Sequence, residues 1–110
     1  MGVQAFTPMG NTVVFTADTV APTPVQALAK GLGANQYRLV VPPGSNMVFL
    51  GFSLTAAGAT SNAVVISSST FTLPLLPGTD EILTFLPNAY FTGITSGGST
   101  SVYVTPGDGV

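Results

Sequence analysis

The chain contains no cysteine, no histidine and no tryptophan, and only six of its 110 residues are charged: Asp18, Lys30, Arg38, Asp80, Glu81 and Asp108. Without cysteine there is no disulfide framework, no thiolate metal site and no thiol nucleophile. Without histidine the commonest general base and the commonest transition-metal ligand are missing. Two cations far apart in sequence cannot neutralise a run of phosphates, so nucleic acid is not an expected partner. The charged fraction is 5%, against roughly a quarter in ordinary soluble domains.

Long apolar runs are missing too. Mean hydropathy is positive, +0.54, yet Pro42, Pro43, Gly44, Gly51, Gly58, Pro74 and Pro77 break the apolar stretches well below the about 18 residues a membrane helix needs. No membrane association is expected. Lys30 is the first basic side chain and no compact apolar segment precedes it, so the sequence does not read as a secretory signal. An apolar, weakly charged chain without a membrane span implies surface that other protein covers. The alternative is a monomer whose exterior is simply rich in Ser, Thr, Asn and Gly.

What is present is β-strand and turn. Glycine (13) and proline (9) fall between short apolar runs and not in one block. Thr12–Thr16 reads as a first strand. Gln26–Leu32 has room for one helical turn, ended by Gly31 and Gly33. In Gln36–Val41, Tyr37, Leu39 and Val41 share one face and Arg38 takes the other. Met47–Leu54 is apolar on both faces, so it is expected at the centre of a sheet or against a neighbouring subunit. Thr55–Asn62 reads as a small-residue loop and Ala63–Ile66 as a short strand. Phe71–Leu76 contains Pro74, which places it at a sheet edge or in an extended loop. Glu81–Leu86 and Tyr90–Thr95 follow, and Ser96–Ser99 is read as a hairpin into Thr100–Thr105, where Val102 and Val104 point one way and Tyr103 the other.

Seven or eight short strands with frequent turns predict one all-β domain: a β-sandwich, jelly-roll-like, antiparallel, with little or no helix. The sandwich is expected over 12–110, with 1–11 as an N-terminal arm or a docked strand. Phe6, Pro8 and Met9 in that segment suit an apolar arm that grips a neighbour.

Candidate sites are few. Asp80 and Glu81 are the only adjacent acids, but successive strand residues point to opposite faces, so the two carboxylates diverge and a structural role is expected over a calcium site or a general acid/base couple. Serines such as Ser67–Ser69 have no histidine to activate them, and Lys30 is the single lysine. Gly31-Leu32-Gly33 and Gly97-Gly98 lack the Lys-Ser/Thr that follows a phosphate loop. Tyr90, Phe91 and Tyr103, with Asn88, have the makings of a carbohydrate platform. Core or subunit contact is the expected role of these rings.

Five pieces carry a resemblance: Gln36-Tyr37-Arg38-Leu39-Val40, Val48-Phe49-Leu50-Gly51-Phe52, Leu76-Pro77-Gly78 with Glu81, Tyr90-Phe91-Thr92-Gly93-Ile94, and Val102-Tyr103-Val104-Thr105-Pro106-Gly107-Asp108-Gly109. Together they span about two thirds of the chain. In these pieces the chain resembles small structural proteins of tailed bacteriophages, of the head decoration, cement or auxiliary virion type. The resemblance implies an oligomeric β-sandwich that binds capsid or other virion proteins, located in the virion. With the missing residue types, the expectation is a dimer or trimer that is not an enzyme and needs no cofactor or metal. Candidate interface residues are Phe6, Met9, Phe52, Tyr90, Phe91 and Tyr103. The alternative is a carbohydrate- or receptor-binding module of a phage tail or secreted protein.

Overall fold

The computed structural model describes residues 7–28, 35–43, 46–64 and 72–108. Among them the chain forms β1 (Thr7–Pro8), β2 (Val13–Ala17), β3 (Val25–Gln26), β4 (Gln36–Val40), β5 (Val48–Ser53), α1 (Ala56–Asn62), β6 (Thr72–Leu75), β7 (Asp80–Thr84), β8 (Tyr90–Ile94) and β9 (Thr100–Asp108). Strand pairing is nested: β2 pairs β9, β3 pairs β8, β4 pairs β7 and β5 pairs β6, all antiparallel. Pairing of β4 with β9 and of β5 with β8 then joins these pairs into two sheets, β2-β9-β4-β7 and β3-β8-β5-β6. A long hairpin rolled into two four-lane sheets is the jelly-roll connectivity, and the expected all-β sandwich is what the chain forms.

β1 continues the β2 lane along β9. From Pro8 to Val13 the chain advances five residues while β9 advances three, from Gly107 to Val104. The surplus forms a bulge at Met9–Thr12 that disrupts the ladder locally. The described part of the first eleven residues thus lies on the protein's own sheet, and Met9 N–H donates to the Pro106 carbonyl at 2.8 Å.

Strand alternation explains which side chains are inside. Phe15 and Ala17 of β2, Tyr37 and Leu39 of β4, and Val102 and Val104 of β9 are buried, while Val14, Thr16, Arg38 and Tyr103 between them are exposed. From the facing sheet come Leu50, Phe52 and Phe91. Full burial of each large side chain contributes about 1.5–3 kcal/mol, and the rings add directional contacts. Phe91 meets Tyr37 edge-on at 4.9 Å across the two sheets and stacks on Phe52 at 6.2 Å. Gly93 leaves the recess that accepts Phe15, since a Cβ there would lie 3.0 Å from the Phe15 ring and 2.8 Å from Val48.

Two expectations about the chain path are corrected. Ser96–Ser99 does not close a hairpin, because β8 and β9 belong to different sheets. Phe91 of one sheet and Val102 and Val104 of the other share the core, so the segment crosses from one sheet to the other. Thr55–Asn62 is a helix and not a loop. The Thr55 hydroxyl caps it by accepting from Gly58 N–H at 3.0 Å.

Gln26 belongs to β3, Ala63 and Val64 are outside any strand, and 29–34, 44–45 and 65–71 lie outside the described residues. β5 does sit centrally, between β8 and β6, and Pro74 does lie in an edge strand, β6.

Candidate interaction surface

The outer faces of the two sheets are treated differently by the chain. Over β3-β8-β5-β6, α1 lies on β5 and β8. It comes so close that a Cβ on Gly51 would sit 2.3 Å from the Ala59 carbonyl oxygen. Asn62 Nδ2 donates to the Phe52 carbonyl at 3.3 Å, and Thr92 Oγ1 donates to the Pro22 carbonyl at 2.9 Å from the β2–β3 connection. Phe49, Gly51 and Thr92 are therefore buried although they point away from the core.

The outer face of β2-β9-β4-β7 has no such cover among the described residues. Register places Val14, Tyr103, Val40 and Asp80 side by side in one row, with Thr105, Arg38 and Ile82 in the next. Val14 is 50% and Tyr103 42% exposed. Thr12 and Thr105 hydroxyls hydrogen-bond at 2.6 Å. Arg38 grips Asp80 with two prongs, Nε to Oδ1 at 2.9 Å and Nη2 to Oδ2 at 2.7 Å. These hydrogen bonds hold the Asp80 carboxyl below the usual carboxylate range and push the Arg38 guanidinium up. The pair neutralises itself, so the face carries no net charge.

Each end of the sandwich also shows apolar side chains. At one end the connections after β2, β4, β6 and β8 are tied together: Thr95 N–H to the Asp18 carbonyl at 2.9 Å, Asn46 N–H to Thr100 Oγ1 at 3.0 Å, Gly78 N–H to the Pro42 carbonyl at 3.3 Å. Val20, Met47 and Leu76 stand out from these connections. At the other end the buried Tyr37 hydroxyl donates to the Leu86 carbonyl and accepts from Ala89 N–H, and burial pushes that hydroxyl's pKa up. This anchors the Pro87-Asn88 turn, in which Asn88 takes φ 59°. Leu28, Leu54 and Leu86 are about half exposed around that turn.

The four lateral edges are blunted. β6 carries Pro74 and β7 carries Asp80 and Glu81. β3 has two residues and follows Pro22 and Pro24, and the β1–β2 edge has Pro8 and the bulge. Proline, charge, shortness and bulges each oppose the addition of a foreign strand.

No family model, curated protein or solved structure matches the chain.

The residues singled out in the sequence do not form one site. Phe6 lies outside the described residues. Met9 is partly buried in the bulge, and Phe52 and Phe91 are core rings with no surface to offer. Tyr90 is partly buried on the outer face of the β3-β8-β5-β6 sheet, between Gln26 and Ser53. Tyr103 stands on the opposite outer face. The platform of Tyr90, Phe91 and Tyr103 is therefore not assembled, because the segment between β8 and β9 changes sheets. Asp80 and Glu81 do diverge, as strand geometry requires. Among the described residues no three acids or other metal-ligating side chains converge. Lys30 and Ser67–Ser69 lie outside the described residues.

Val14 and Val40, the neighbours of Tyr103, were missed. The signal for Val14 was an apolar residue on the side of the first strand that Thr12 and Thr16 hold. That for Val40 was its place on the Arg38 side of β4.

Proposed function

We propose that this chain is a non-enzymatic structural protein of a virion, an oligomeric decoration or cement subunit that binds the shell of a tailed phage. One observation carries the reading: eight large apolar side chains among the described residues are between 38% and 77% exposed, on a chain with six charged residues. Such a surface suits permanent contact with other protein. Covering a half-exposed leucine or valine contributes on the order of 1 kcal/mol, and repetition over a shell multiplies small contacts. Jelly rolls occur in viral shells and also in lectins, so the fold alone does not choose. The resemblance to phage structural proteins favours the shell. The carbohydrate-binding alternative keeps only Tyr103 of its three rings.

The test is sedimentation of the purified protein with assembled phage shells and with free shell subunits. Binding to the shells only, with an oligomer mass unchanged between low salt and about 1 M salt, is expected because few charges are present to be screened. Dissociation of the oligomer by moderate salt refutes the apolar contact. A monomer that binds a glycan saturably, and loses it on Tyr103→Ala, replaces the proposal with the alternative.

A further inference from the structure

We infer that α1 is a cover that opens by itself: the segment from Thr55 to Val64 melts off the outer face of β5 and β8 and refolds onto it while both sheets stay closed. Such an opening is independent of what the chain binds, so it can fail without touching the shell reading.

What holds α1 down is shape with little area. Between Thr55 and Ala63 the only apolar side chains are alanines. Ala59 and Ala63, one turn apart, are buried against Gly51, while Ala56 and Ala57 are exposed. Apolar stabilisation scales with the area removed from water, and two methyl groups remove little. The sandwich beneath closes instead on Tyr37, Leu39, Leu50, Phe91, Val102 and Val104, all fully buried. Two glycines make the close fit possible. Gly51 leaves room for the Ala59 carbonyl, and a Cβ on Gly58 would lie 2.3 Å from Ser53 Oγ. Glycine inside a helix lowers its stability, so Gly58 secures the fit at the helix's expense.

The polar ties to the sheet are long. Asn62 Nδ2 reaches the Phe52 carbonyl at 3.3 Å. Thr72 Oγ1 lies 3.1 Å from the Leu50 carbonyl and 3.4 Å from that of Val64, and its single proton favours the nearer one. Thr55 caps the helix from within the same segment, so that bond is lost with the helix. Seven residues are too few for a helix to persist free of the surface, which makes the opening an order–disorder step and not the swing of a rigid arm. Few buried apolar contacts, long hydrogen bonds and an exposed outer side are the marks of a unit that opens below the global free energy. Opening bares Gly51, which has no side chain of its own to shield the β5–β8 ladder.

Native-state hydrogen exchange in increasing urea tests this on the wild-type chain. The Ala59 and Ala63 amides donate to the Thr55 and Thr60 carbonyls. They are expected to be at least about 100-fold less protected than the ladder amides of β8 and β9, and to stay level up to about 1 M urea because little surface is exposed on opening. The ladder amides exchange through global unfolding and should accelerate at every step. Val104→Ala, in the opposite sheet, is expected to speed the ladder amides about tenfold and to leave Ala59 and Ala63 unchanged, since the lost contact belongs to the closed and open forms alike. If that variant does not fold, the urea series decides alone. Ala59 and Ala63 amides that follow the ladder amides in urea or in Val104→Ala would show that α1 opens only with the whole domain, and would overturn the proposal. Amides with no protection at all would overturn it too, because α1 would then not rest on the sheet.

Discussion

Replacing Gly51 by alanine adds one methyl group at the most crowded point between α1 and the sheet beneath it. The new Cβ would lie 2.3 Å from the Ala59 carbonyl oxygen, 2.6 Å from Ala63 N and 2.8 Å from Ala63 Cβ. Two of these three are backbone atoms, so no side-chain rotation relieves the overlap and the helix itself has to move. Overpacking of this kind costs about 1–3 kcal/mol. Alanine recovers about 0.5–1 kcal/mol of that through the lower backbone freedom of its unfolded chain. The expected net loss is about 1–2 kcal/mol, or roughly 5–10 °C in the melting midpoint of a domain this size. At seven residues α1 is too short to persist alone, so lifting it should also open Ala56–Asn62 to proteolysis. Gly97→Ala is the control: nothing lies within 4 Å of its added Cβ, and its midpoint should stay within about 0.5 kcal/mol of wild type. Thermal denaturation by circular dichroism with limited proteolysis makes the measurement. A Gly51→Ala protein that melts with the wild type and gains no cleavage site would refute the packing described for α1.

Tyr37→Phe keeps the ring and its contact with Phe91 but leaves the Leu86 carbonyl and Ala89 N–H without their shared partner. A loss of about 1–3 kcal/mol is expected in urea denaturation, and equal stability would show that the hydroxyl does not anchor the turn. The Arg38–Asp80 pair makes stability depend on acid. The folded pKa of Asp80 is lowered, so its contribution is present above the ordinary carboxylate value and fades as pH falls through the lowered one. Both partners are about half exposed, 50% and 53%, which limits the effect to less than about 1 kcal/mol. Asp80→Asn should flatten this acid-side slope. With no histidine in the chain, the melting midpoint should be level between about pH 5.5 and 8, and a step in that window would contradict the assignment.

Part of the candidate surface was legible beforehand and part was not. Tyr103 was legible because it alternates with Val102 and Val104, a pattern that needs no knowledge of partners. Phe91 alternates with Tyr90 in the same way, but which of the two points inward depends on where β5 and β3 lie beside β8. The Ser-Gly-Gly-Ser segment suits a hairpin and a crossover equally, since both need a flexible turn and the difference lies in which strand waits at the other end. The helix at Ala56–Asn62 was hidden by its composition. Small residues look like a loop until Gly51 supplies a surface they can approach.

From its residues alone, this chain was bound to form short strands with defined inner and outer sides, to keep Pro74 at an edge, and to have almost no ionic chemistry. These are local properties, set by the two-residue strand repeat, by proline's missing N–H and by which side chains exist at all. Only the tertiary structure decided that β2 pairs with β9 and β8 with β5, that α1 seals one outer face, and that Tyr103 is left on the other. Those outcomes come from hydrogen bonds and packing between segments far apart in the chain, and strands of similar composition compete for each partner until the whole core is closed.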